Sequence, residues 1–416
     1  MQHGTRFLAT SVLRVLNTAN AMRPFDRSGP GSVASFALGL PTSELPLAAA
    51  AGYGLSAAHA IGRGAHRTAA GALGLALTTG AGVGLLRMHH RTTAAAEIVE
   101  RALQDELGQG YLDRMATSPM APRRLDLPLV PTPAVRARNV TQGHVAYDDY
   151  GRRTTLDVWR RRDLPDDAGA PVLVQVHGGA WVTGDKEHQA YPLMSYLVER
   201  GWVCVSVTYR LSPRSTWPDH IVDVKRALAW VKDNIGDHGG DPDWVAITGG
   251  SAGGHLSSLA ALTPNDPQFQ PGFEECDTSV RAAVPFYGVY DWTNRDQTGR
   301  DDILEFLERT VVKHTMAHAP QVYEQASSMT HVSADAVPCF FVHGRNDSLV
   351  PVEQARSMVD LMRKESTQPV VYVELPETQH AFDVFGSRRT LAVCQGVERF
   401  LGVVRAESQR DDSPVS

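Results

Sequence analysis

Cysteine is scarce in this chain. Its 416 residues include 4 cysteines, Cys204, Cys276, Cys339 and Cys394. They lie far apart with no CxxC pair, which excludes a disulfide-built scaffold and a cysteine zinc site. Two of them interrupt strand-like runs, as small buried hydrophobes do. Excess positive charge is missing too. With 40 Lys+Arg against 46 Asp+Glu the formal net charge is -6, so no broad cationic field is available to attract phosphates, and nucleic acid is not an expected partner. No internal repeat at solenoid spacing occurs. The extreme N-terminus has no compact apolar core followed by a small-residue cleavage site, as a secretory signal would. The apolar fraction is not lacking: at 43% hydrophobic the chain can bury a full core and still carry a sizeable appendage.

The appendage is expected at residues 1–115. Leu8, Val12, Val15 and Leu16 recur at helical spacing beside Arg6 and Arg14, the pattern of a basic amphipathic helix that lies on an anionic membrane surface. Two uncharged stretches follow, 45–61 and 69–86, the second just long enough to span a bilayer. Both are rich in Ala and Gly, so each alone would insert marginally. Gly80 and Gly84 form a small-xxx-small pair that would let helices approach closely. A membrane hairpin or membrane-lying helices are the expectation, with a soluble helical appendage and a cytoplasmic location as the alternative; arginines on both flanks leave sidedness open.

Residues 116–138 are proline-rich and read as a linker, because fixed φ and missing N–H donors oppose both helix and central strand. From 139 to 405 strand-like runs alternate with helical ones: VLVQV, WVCVSVTY, WVAIT, AAVPFYGV, CFFVH and VVYVEL, each a helix-length from the next. The fold class expected is α/β, a mostly parallel sheet with helices on both faces. HVAYDDYGRRTTLDVWRR alternates like an antiparallel hairpin turning near Gly151. A helical lid insertion is expected at about 292–335, and 406–416 reads as a disordered polar tail.

The chemistry centres on GGSAG, Gly249 to Gly253, set between the WVAIT strand and the helical AGGHLSSLAAL. Strand, tight turn and helix are the setting of a nucleophile elbow, in which flanking glycines make room and the serine is pushed above the sheet edge. A serine hydroxyl needs a base, and the base needs a carboxylate to hold its tautomer. Asp347 follows the CFFVH strand and His380 follows VVYVEL, so both are expected at the same edge as Ser251; Asp383 is the spare carboxylate. His255, one turn beyond Ser251, is carried into helix packing. HGGAW after VLVQV places Gly178 and Gly179, with Ala252, as amide donors to an oxyanion. His177 is read as pinning that loop and Trp181 as walling the pocket. Phe286, Tyr287, Trp292 and Phe306 are candidates for an apolar acyl pocket.

Taken together, HGGAW, GDPDWVAITGGSAGGH, HGRNDSLVP and QHAF resemble the hormone-sensitive-lipase-like carboxylesterases of the α/β-hydrolase superfamily, over about 139–405. LTPNDPQFQPGFE and the membrane-like N-terminus resemble the lip-type esterases of mycobacteria. The resemblance implies a triad of Ser251, Asp347 and His380 and an oxyanion hole of Gly178, Gly179 and Ala252. It implies a serine carboxylesterase or lipase acting on small-molecule or lipid esters at a membrane surface, with no metal and no cofactor. HGGAW in place of HGGG is shared with formamidase-like and prenylcysteine-methylesterase-like members, so amide cleavage of the formamidase type or prenylcysteine-methylesterase-like activity is the alternative. A non-catalytic receptor on the same fold is the remote one.

Overall fold

The computed structural model describes residues 2–411, apart from 28, 117, 119 and 122–126. The chain opens with five helices: α1 (Gln2–Met22), α2 (Ser32–Glu44), α3 (Pro46–Gly62), α4 (Ala69–Thr92) and α5 (Ala95–Leu107). Helices α1 and α4 run parallel along a seam of alternating three- and four-residue steps, the spacing that keeps one stripe facing its partner. The α4 stripe is Gly71, Gly74, Thr78, Ala81, Leu85 and Met88. Ser11 receives a hydrogen bond from Thr78 at 2.9 Å across it. At Gly74 a Cβ would fall 2.9 Å from the Phe7 ring, so the glycine is what lets α1 approach. Gly80, by contrast, meets nothing within 4 Å; of the pair singled out from spacing, only Gly84 touches α1, at Thr18. Helix α1 therefore packs lengthwise on α4 instead of standing apart as a surface helix.

Helix α5 packs on the sheet domain, in the same core that takes Leu40 of α2. Val99, Leu103 and Leu107, one helical turn apart, are buried with the sheet's own core, and Val99 abuts Gly396. Part of the region expected as an appendage is thus a layer of the main domain.

Part of the proline-rich linker lies outside the described residues, and the rest departs from expectation. α6 (Pro133–Asn139) is a helix. Pro133 sits in its first turn, where the missing N–H costs nothing, and Thr132 caps it by accepting from the Val135 amide.

The main domain follows: β1 (Val140–Ala146), β2 (Thr155–Trp159), β3 (Ala170–Val176), α7 (Tyr191–Val198), β4 (Val203–Val207), α8 (Asp219–Asn234), β5 (Gly240–Gly250), α9 (Ala252–Leu262), β6 (Ala282–Phe286), α10 (Asp301–Phe306), α11 (Pro320–Ala326), β7 (Cys339–Gly344), α12 (Val352–Glu365), β8 (Val370–Leu375) and α13 (Arg388–Asp411). The eight strands form one sheet in the order β1-β2-β4-β3-β5-β6-β7-β8. β1 and β2 form the expected antiparallel hairpin, β2 joins β4 antiparallel, and every later pairing is parallel. Central strands such as β3 and β4 are buried at every position because helices cover both faces. One face of the sheet packs on α8, α9 and α12, and the other on α5, α7 and α13.

The polar tail is helical as far as Asp411, and 412–416 lie outside the described residues. The expectation of disorder after Arg405 fails because the last turns are tied down: Trp244 Nε1 donates to Ser408 Oγ at 3.1 Å, and Arg405 donates to the Gly169 carbonyl at 3.0 Å.

Candidate active site

Strand order reverses between β3 and β5, since β3 is followed in space by β4 on one side and β5 on the other. Loops leaving the carboxyl ends of such neighbours part in opposite directions and open a crevice. The His177–Ala180 loop leaves β3 there and Ser251 leaves β5. Asp347 follows β7 and His380 follows β8, so all four segments rise from one sheet edge.

Ser251 has φ 59 and ψ -121, a strained conformation outside the regular regions. The elbow is held by backbone bonds, from Ser251 N to Phe286 O at 3.0 Å and from His255 N to Ser251 O at 3.0 Å. Its glycines are spatially required. A Cβ at Gly249 would lie 2.4 Å from Gly253 O, and one at Gly253 would lie 2.1 Å from Val176 O.

His380 Nδ1 and Asp347 Oδ2 are 2.6 Å apart. The other carboxylate oxygen, Oδ1, accepts from the amides of Leu349 and Val350, each at 2.8 Å. Burial alone would push the Asp347 carboxyl up, but the charge of His380 and hydrogen bonds from His343 and His380 hold it well below the usual carboxylate range. His343, buried at the end of β7, reaches Asp347 Oδ2 at 3.2 Å and Val350 O at 3.0 Å. Sequence reading passed over this histidine; its place in VHGRND, four residues before the aspartate, was the available signal.

Ser251 and His380 line a single cavity of 440 Å³, in the range of small-molecule sites. Gly178, Gly179, Trp181, Tyr287 and Phe306 line it as well. Trp292 does not. It is buried beneath the site, its ring 4.9 Å from Trp181 and 4.7 Å from His255, because β6 leads it down among the aromatics packed on α9. Its assignment to the substrate pocket is corrected to core packing. Asp383 also lines the cavity; it accepts from the Tyr287 hydroxyl, and burial pushes its carboxyl up despite that bond.

The loop after β3 passes directly over the elbow, since a Cβ at Gly178 would meet Gly250 O at 2.5 Å and Ser251 Cβ at 3.1 Å. The Gly178 amide, however, donates to Gln189 Oε1 at 2.7 Å. The described residues supply no acceptor for the amides of Gly179 or Ala180. Gly179 takes φ 123, which only glycine adopts readily. His177 stacks on Tyr209 at 4.3 Å and donates from Nδ1 to Gly178 O at 2.8 Å; burial lowers its pKa to about 4, so it holds the loop as a neutral ring. His255 points away into the core, accepting from Trp181 Nε1 and donating to Ala326 O.

Comparison with known proteins supplies the family. The chain is 48% identical to the probable carboxylic ester hydrolase LipM of Mycobacterium tuberculosis over 98% of its own length and 95% of that protein's. The chain belongs to the α/β-hydrolase family of carboxylic ester hydrolases. A second member, esterase LipQ of the same organism, is 46% identical over 74% of this chain and 75% of its own. The BD-FAE family matches residues 156–362. Among solved structures, native esterase 2 of Thermogutta terrifontis superposes with a TM-score of 0.53 at 25% identity, covering 66% of this chain and 92% of that one. The match to this carboxylic ester hydrolase LipM runs over nearly the whole chain, so it takes in the N-terminal helices as well as the sheet.

Proposed function

We propose that this carboxylic ester hydrolase works through Ser251 as nucleophile, His380 as general base and Asp347 as the carboxylate that orients His380. His380 takes the hydroxyl proton of Ser251 as the oxygen attacks the ester carbonyl. The same proton then passes to the departing alcohol, and an acyl-serine remains. Water, deprotonated by His380, attacks that acyl group and releases the acid with Ser251 restored. The amides of Gly179 and Ala252, with Ala180 next along the loop, stabilise the negative oxygen of each tetrahedral intermediate. Gly178 joins them only when Gln189 lets go of its amide. The single observation that carries this reading is the 2.6 Å Asp347–His380 bond in the same cavity as a serine at φ 59.

Helices α1, α3 and α4 are read as membrane-embedded. The support is their sorting: Ser11, Thr18 and Thr78 face inward, whereas Leu13, Leu55 and Val83 face outward. Helix α4 also belongs to a helical run, Ala69–Leu107, that holds an apolar window long enough to cross a bilayer. Substrates are then esters that partition into membranes.

A fluorophosphonate probe tests the chemistry. It is expected to label the wild type and not Ser251→Ala; equal labelling of both would defeat the assignment. Competing p-nitrophenyl esters against N-formyl amides in one assay is expected to show preference for the ester.

A further inference from the structure

One wall of the cavity does not come from the hydrolase domain. Val33 and Phe36 line it, and both belong to α2. Phe36 meets the His380 ring edge-on, with centroids 5.9 Å apart and planes at 77°.

Helix α2 is fastened at both ends. At its start, Ser32 Oγ accepts from Arg300 at 3.1 Å and Ser32 O accepts from Ser348 Oγ at 3.0 Å. Arg300 also donates to Ser348 O at 2.7 Å. Just before α2, Arg27 donates to Asn346 Oδ1 at 2.8 Å, and Asn346 donates to Met22 O at 2.7 Å. Asn346 and Ser348 are the two neighbours of Asp347. Gln379 links Ser348 onward to the His380 amide, accepting from both backbone N–H groups. At its far end, Glu44 is buried, ion-paired with Arg389 and bonded by Ser387 Oγ at 2.8 Å. A segment bonded at both ends to buried polar groups is a fixed wall, because releasing either end would strand charges or donors away from water.

Ile303 and Phe306 of α10 line the cavity too. Val33 is exposed, and Phe36, Ile303 and Phe306 are half-buried, so the mouth lies between these two helices. On α2 itself Val33 and Leu38 are each 62% exposed.

We propose that α2 is the outer wall of the acyl-binding site, that Phe36 and Val33 determine which acyl chains it accepts, and that medium-length apolar acyl chains enter between α2 and α10 from the membrane side. This rests on the esterase reading above. Because an apolar pocket discriminates by contact area, each methylene gained or lost is worth about 1 to 3 kcal/mol, or about 10 to 200-fold.

The test uses the full-length chain in detergent micelles, with active serines counted by fluorophosphonate titration so that misfolded molecules drop out. kcat/KM is measured for p-nitrophenyl acetate and octanoate in the wild type, Phe36→Ala and Val33→Trp. Phe36→Ala is expected to lower the octanoate-to-acetate ratio about 10-fold through KM, and Val33→Trp to lower it by narrowing the mouth. Ratios within about 2-fold of wild type in both variants would overturn the wall. A wild type that takes no fluorophosphonate would sink the esterase reading itself, a result distinct from an unchanged ratio.

Discussion

The N-terminal helices and the sheet domain sort their side chains in opposite senses. In the sheet, Val172, Val174 and Val205 are wholly buried, as water demands of a core. In the helices before α5, Leu13 is 65% exposed, Leu55 75% and Val83 62%, while Ser11, Thr18, Asn20 and Thr78 are buried. Where lipid surrounds the helices, hydrophobicity no longer drives them together. Close packing of small residues and interhelical hydrogen bonds do so instead. The difference is what the proposed membrane embedding of these helices requires, and α2 is the place where the two regions meet the proposed triad.

The largest expected effect separates chemistry from attachment. Ser251→Ala should lower kcat by about 10⁴-fold or more, and Asp347→Asn by about 10⁴-fold, by analogy with other serine triads. Neither should change the fraction of protein sedimenting with membranes. A loss of sedimentation in Ser251→Ala would mean that the two regions are not independent.

A lysine scan reverses the comparison. Lysine at Leu13, Leu55 or Val83 should cost about 2.5 to 3.5 kcal/mol near the centre of a spanning helix and shift protein from the membrane pellet toward the supernatant. Lysine at Val174 should instead leave the sheet domain unfolded, read as loss of soluble signal from a separately expressed reporter fusion. If all three N-terminal lysine variants sediment as the wild type does, those helices are not in lipid.

Acid should act on the sheet domain through buried histidines. Burial lowers His177 and His255 to about 4 and His220 to about 3. Between these values and the unfolded value near 6.5, the unfolded chain binds more protons than the native one, so stability falls as pH falls through this window. The slope is roughly 1.4 kcal/mol per pH unit for each such group. Thermal unfolding followed from pH 7 to pH 4 should show a falling midpoint; a flat midpoint would mean the rings are protonated without cost.

The smallest effect is expected in the α1–α4 seam. Thr78→Val removes the bond to Ser11 and should weaken helix association by about 0.6 kcal/mol, measurable as a small loss of detergent resistance.

The elbow was legible because its meaning is local. A strand, a glycine-framed serine and a helix are adjacent in sequence, and the clashes that require Gly249 and Gly253 arise within that unit and the loop beside it. Asp347 and His380 were legible at one remove, since each follows its own strand and parallel strands place such loops at one edge. Trp292 was misread because nothing local distinguishes an aromatic at the pocket wall from one beneath it. The occupied Gly178 amide was invisible for a similar reason, as Gln189 returns to it from a loop of no special composition.

The amino-acid sequence by itself determined the α/β order of elements, the strained serine turn and the apolar character of the N-terminal helices, because these follow from periodicity and steric limits over short stretches. Only the tertiary structure decided that Val33 and Phe36 close the cavity, that His343 stands behind Asp347, and that Ser32 and Arg300 join α2 to the loop carrying that carboxylate. Contacts between residues distant along the chain depend on how layers stack, and no local pattern encodes which distant side chain fills a given place.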